Sequence, residues 1–248
     1  CIGETEFVNG VAAMSRSGLY GPARLCTGIF STADLRLGDR AEDILTAHLQ
    51  ASSNFRGIRS AFPADLNETF LTGFSLLEKY NLAYDNWSPD FTRLPRLADL
   101  ANKNPGVTVI VNHLGGKIDP SADEEELSVW REAIDSVAAC SNTVMKLGGA
   151  QMRVGDWEPP YHMHKAESPW DSDKFLSTLL PRYQYAFEKF GPDRFMFESN
   201  FPVDKDCISY RTLWNLFKKM ATKLGLSESE KMSVFSGTAA RAYRLDQP

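Results

Sequence analysis

No two cysteines stand close enough to form a zinc ribbon or a redox dithiol: Cys1, Cys26, Cys140 and Cys207 are far apart, with no C-x-x-C among them. They read as reduced thiols, and Cys26 and Cys140, in or beside apolar segments, as small hydrophobes filling core. Basic runs are lacking too. Against 27 Lys and Arg stand 32 Asp and Glu, a formal net charge of -5, so the electrostatic footprint of a nucleic-acid binder is missing. No apolar stretch approaches the ~20 residues of a membrane-spanning helix, and no charged-then-apolar signal segment opens the chain. The expectation is a cytoplasmic protein whose partner is a small molecule, with no nucleic acid and no membrane; a homo-oligomer is compatible with it. Linkers, low-complexity tracts and internal repeats are also missing from the 248 residues, which predicts a single domain over 1–248.

What the sequence does contain is alternation. Short β-rich runs at 25–31, 55–62, 82–87, 107–113, 143–149 and 195–200 alternate with helical patterns at 41–50, 69–80, 95–103, 124–139, 175–190, 210–224 and 228–245, whose apolar residues recur at spacings of three and four. Ser227 with Glu230 three residues later marks a helix start. Such alternation gives a parallel sheet with crossover helices. A doubly wound open sheet would fit, but two features favour a (β/α)8 barrel. The repeat length suits a barrel of ~250 residues. Polar residues also gather at the strand ends: Arg59 and Ser60, Asp85 and Asn86, Asn112 and His113, Lys146, and Glu198 to Asn200. In a barrel these ends converge on one mouth, where the chemistry is done.

Each of these positions suggests a role. His113 ends the apolar run VTVIVNH, so an imidazole that binds a metal or moves a proton is carried to the mouth by a strand. Lys146, a lone charge in VMKLGG, holds a substrate anion or an oxyanion if it points inward, and snorkels if it does not. Arg56 and Arg59 lie three apart and therefore on opposite faces of their strand; Arg59 is the candidate for gripping a carboxylate, and Arg56 reads as a structural salt bridge. Asp85, Asn86 and Trp87 in YDNW can hydrogen-bond and stack a sugar-like or ring-shaped ligand, although capping explains Asp85 or Asn86 as well. In RFMFESNFPVDK, Glu198 and Asp204 are carboxylates able to take a proton from an attacking water, with a helix N-cap as the other reading of Asp204. His162 and His164 make an H-x-H after two prolines, in a context that suits a substrate-contacting loop better than a metal pair.

The segments NHLGG, MKLGG, RFMFESNFPVDK and VFSGTAARAYRL, in that order, resemble the amidohydrolase-related (amidohydrolase 2) barrel hydrolases, a group that includes sugar lactonases and pyrone-dicarboxylate lactonase. FRGIRSAF and GIFSTADL fit the same pattern. The resemblance implies a (β/α)8 barrel and water attack on a lactone or a related C–O or C–N bond. It also implies one divalent metal, zinc or manganese, or none, with His113 as metal ligand, Lys146 as the seventh-strand lysine, and Asn200 at the place of the last-strand aspartate of relatives. Asn200 cannot act as a carboxylate base, so Asp204 or Glu198 is expected to supply the charge. An amidohydrolase-type decarboxylase and a non-catalytic relative or inactive fragment are the alternatives. The chain starts at Cys1 rather than Met. Its six strands correspond to the third through eighth of the barrel, so a truncation lacking the first two strands and their H-x-H is expected.

Overall fold

Each of the six β-rich runs forms a strand, and the six pair in parallel in the order in which they occur along the chain. The computed structural model describes residues 1–119, 122–149 and 170–245. The strands are β1 (Ile29–Ser31), β2 (Phe55–Ala61), β3 (Ala83–Trp87), β4 (Val109–Val111), β5 (Thr143–Lys146) and β6 (Phe195–Met196). Four are clearly shorter than expected; the run at 25–31 joins the ladder only at Ile29. The runs at 107–113, 143–149 and 195–200 leave the ladder at Val111, Lys146 and Met196. In the first and last of these the backbone turns to positive φ, at His113 and at Asn200, which no strand accommodates.

Helices α2 (Ala41–Ala51), α3 (Glu68–Lys79), α4 (Leu94–Lys103), α5 (Glu124–Ala138), α6 (Ser172–Phe190) and α7 (Tyr210–Lys223) lie where apolar spacing predicts them. The expected helix at 228–245 is interrupted. It starts as α8 (Glu228–Met232) on the Ser227–Glu230 capping box, passes through a π turn at Ser233–Gly237, and resumes as α9 (Thr238–Tyr243). A helix that the spacing did not announce, α1 (Ile2–Arg16), precedes β1. Its buried residues are Thr5, Ala12 and Ser15, too small and polar to write an apolar stripe. Thr5 Oγ1 instead meets the buried His48 Nδ1 on α2 at 2.8 Å, and that ring stacks on Phe55.

Because neighbours in the sheet are neighbours in sequence, every crossover advances one strand in the same direction. A doubly wound sheet would reverse at a switch point; this is α/β winding of the barrel type. Alternation then sorts the side chains. One face, with Ile58, Tyr84, Val109, Val111, Met145 and Phe195, belongs to the main apolar core under the helices. The other carries a smaller layer of Ala83, Ile110, Val144 and Met196, packed against Phe30 and against Ala239, Ala242 and Tyr243 around α9. Gly57 keeps this layer thin, since a Cβ there would lie 2.2 Å from the Ala83 carbonyl oxygen and 2.4 Å from the Phe30 ring. Two residues further along the strands, this same face bears Arg59, Asp85, Asn112, Lys146 and Glu198.

Candidate functional site

Asp85 is the hub of the polar layer. Only 2% exposed, it accepts at Oδ2 from Lys146 Nζ at 2.6 Å and at Oδ1 from Asn112 Nδ2 in a short hydrogen bond. Arg59, its register partner across β2 and β3, brings Nε to 3.8 Å. A buried carboxylate is costly unless paired and hydrogen-bonded, and here two cations and an amide converge on it. Burial works against the Lys146 charge, but Tyr243, Asp85 and Glu198 outweigh it and hold the lysine above its ordinary pKa. Lys146 therefore stays an ammonium ion, its Nζ 5.7 Å from the centre of the Tyr243 ring. Arg56 points away from this layer and donates to the carbonyls of Arg244, Ser53 and Phe55, so the expected salt bridge is replaced by backbone hydrogen bonds.

His113 sits at the start of four consecutive positive-φ residues, followed by Leu114, Gly115 and Gly116. These turn the chain off β4 and hold the imidazole 2% exposed, edge-on to Trp87 with ring centres 5.0 Å apart. Its Nδ1 is 3.1 Å from the Gly148 carbonyl oxygen. Glu198 Oε1 comes to 2.8 Å of the same nitrogen. With Nδ1 directed at the carbonyl, Nε2 is the ring nitrogen left to exchange a proton with a ligand. Burial pushes the Glu198 carboxyl up, and His113, Lys146 and Arg59 together outweigh it and keep its pKa below the ordinary value.

Asp204 is fully buried and does not cap the following helix, a task taken by Ser209. Its Oδ2 accepts from the Gly149 N–H at 3.1 Å and its Oδ1 from Asn200 Nδ2 at 2.7 Å. It thus ties the end of β5 to the turn after β6. Burial raises its pKa to about 7, only partly opposed by the Asn200 amide. Since the unfolded value is near 3.9, the folded chain holds a proton between about pH 4 and 7 that the unfolded chain has released. Stability from this group is full below that window and is lost as pH rises through it. Melting temperatures at pH 5 and pH 8 are expected to differ more in the wild type than in Asp204→Asn, where this component of the slope disappears.

Two cavities border the layer. One of about 330 Å³ is lined by Glu4, Ser31 and Trp87, the other of about 300 Å³ by Asp85, Lys146 and Tyr243. Phe30 and Arg59 border both. The structure therefore brings Arg59, Asp85, Lys146, His113 and Glu198 together, with Trp87 on the His113 ring and with Asn200 and Asp204 joined behind. His162 and His164 lie outside the described residues. Sequence reasoning missed Tyr243 and the Gly148 carbonyl; nothing in the text shows that the last helix packs on the inner face.

For a metal, the donors matter. Both Asp85 oxygens are held by Lys146 and Asn112, and both Asp204 oxygens by Gly149 and Asn200. His113 and Glu198 remain, one short of the three protein ligands a catalytic zinc keeps. Among the described residues no three His, Cys, Asp or Glu side chains make a ligand set, so these residues do not by themselves fit a metal. Among the described residues, too, no helix is long and apolar enough to cross a membrane.

The family model described as "Amidohydrolase" matches residues 18–245. The uncharacterized protein y4mH of Sinorhizobium fredii is 34% identical over 98% of this chain and 75% of its own. An L-fucono-1,5-lactonase of Burkholderia multivorans is 28% identical over 72% of this chain and 57% of its own length. Among solved structures, a zinc-bound amidohydrolase from Burkholderia multivorans has a TM-score of 0.77 at 24% identity, covering 98% of this chain and 79% of that one.

Proposed function

The chain belongs to the amidohydrolase family and is a hydrolase, and on that footing we propose that it opens the lactone ring of a small sugar-derived or carboxyl-bearing substrate in the cytoplasm. The observation that carries this reading is the His113–Glu198 pair set beside the Lys146 and Arg59 cations on one face of the sheet. The similarity to an L-fucono-1,5-lactonase supports it. In this reading the six strands fill the third to eighth positions of an eight-stranded barrel.

Water attacks the lactone carbonyl carbon and gives its proton to His113 Nε2, while Glu198 stabilises the imidazolium that forms. Lys146 and Arg59 steady the developing oxyanion. When the tetrahedral intermediate collapses, the ring C–O bond breaks and the proton on His113 passes to the ring oxygen, leaving a hydroxy acid. Asp204 and Asn200 act from behind, fixing the Gly148–Gly149 turn whose carbonyl orients His113. Zinc or manganese is the divalent metal to test; held by His113 through Nε2, it would take the place of that nitrogen's proton-accepting role, and His164 is a candidate substrate contact.

The test is hydrolysis of a panel of sugar and dicarboxylate lactones, followed by acid release, with and without a chelator. Ring opening of at least one lactone is the expected result. Activity lost to the chelator and restored by zinc or manganese assigns a metal. Carbon dioxide release from carboxylated substrates with no lactone opened would overturn the reading in favour of a decarboxylase.

A further inference from the structure

The last helix brings one more functional group into the polar layer. Among the described residues, α9 is the helix that packs on the inner face of the sheet, and its final residue, Tyr243, meets Phe30 edge to face with ring centres 5.3 Å apart. This aromatic pair marks where the two cavities meet, since Phe30 borders both and Tyr243 only the inner one. The walls of the inner cavity carry two cations, Arg59 and Lys146, one carboxylate, Asp85, and the phenol. Lys146 is bound to Asp85 at 2.6 Å. Arg59 stands 3.8 Å from Asp85, beyond hydrogen-bond distance, and its side chain is 44% exposed. Glu198, the other carboxylate that these cations act on, does not line these walls, and among the described residues the Arg59 guanidinium has an ion-pair partner but no hydrogen bond. Burial pushes the Tyr243 phenol well above its ordinary pKa, with Lys146 opposing, so it remains an O–H donor. At about 300 Å³ the space lies at the lower end of small-molecule pockets.

We propose that the inner cavity binds a carboxylate, with the Tyr243 hydroxyl and the Arg59 guanidinium as its donors, and that Tyr243 is therefore a specificity-determining residue. A forked guanidinium suits a carboxylate, and a phenol adds a charge-assisted hydrogen bond without adding charge. The carboxylate is either a substituent of the substrate or the one that ring opening creates; this choice rests on the hydrolytic reading, whereas the pocket does not.

Calorimetric titration of the whole chain with succinate, and with neutral succinamide as control, tests the pocket directly. Succinate is expected to bind at least about ten times more tightly than succinamide, and Tyr243→Phe, which keeps both ring contacts, is expected to weaken succinate roughly tenfold at an unchanged melting temperature. Arg59→Gln carries the same comparison should Tyr243→Phe fail to fold. In kinetics, a KM that rises only for carboxyl-bearing lactones assigns the carboxylate to the substrate, and weaker inhibition by the opened hydroxy acid at unchanged KM assigns it to the product. Equal binding of succinate and succinamide, or wild-type succinate affinity in the folded variant, would overturn the proposal. Succinate binding without any lactone turnover would count against the hydrolytic reading and leave the pocket standing.

Discussion

Replacing His113 by Asn is expected to lower kcat by at least about a hundredfold, the lower end of what a positioned proton-transfer group contributes, while the protein stays folded. The imidazole is held by a contact to the Gly148 carbonyl, by Glu198 beside it and by the edge of Trp87. An asparagine amide can still donate to that carbonyl, and Asn tolerates the left-handed backbone at this position. What it cannot offer is a second ring nitrogen able to take a proton. The loss should therefore appear in kcat more than in KM, with the melting temperature close to that of the wild type. Initial rates on whichever lactone turns over fastest decide it: a kcat within about threefold of the wild type would move the proton acceptor away from His113 and on to Glu198.

Lys146, Asp85, Arg59 and Glu198 were legible because strand alternation and the position of polar residues at the ends of apolar runs place such side chains on one face at one level; His113 was legible only as a polar residue ending an apolar run, since alternation alone would send it to the face opposite Asn112. Their partners were not. Asp85 reads equally well as a ligand contact or a cap; that it holds two cations at once follows from the stagger of β2 to β5, which pairs Arg59 with Asp85 directly and carries Lys146 to it across β4. The turn after β4 was invisible for a different reason: positive φ at a histidine and a leucine leaves no composition signal, and the following glycines mark only its second half. Helix periodicity found seven segments and missed α1, whose buried face is Thr5, Ala12 and Ser15. It also could not say on which side of the sheet a helix would pack. For six helices the outer face is the default of a barrel, and α9, reached through the π turn after α8, departs from it and delivers Tyr243.

The largest effect on stability is expected at Asp85. Asp85→Ala leaves the Lys146 ammonium buried without its 2.6 Å partner and the Asn112 amide without an acceptor that it now shares between Asp85 and the Asn86 carbonyl. Tyr243 offers Lys146 a ring face at 5.7 Å, and Arg59 loses the carboxylate that restrains it. Removing one member of a buried ion pair costs about 3–5 kcal/mol, most of it the cost of the charge left behind. Urea unfolding should show that loss as a lower midpoint at unchanged slope. The double variant Asp85→Ala with Lys146→Met removes the stranded charge and fills the space with an unbranched apolar chain, so it should recover much of the loss while remaining inactive. That pattern separates the two duties of the pair: stability returns when the charges leave together, whereas turnover needs the ammonium and guanidinium that Asp85 holds in place. A single variant losing less than about 1 kcal/mol would mean that water reaches Lys146 and solvates it, and that the hub is weaker than its burial indicates.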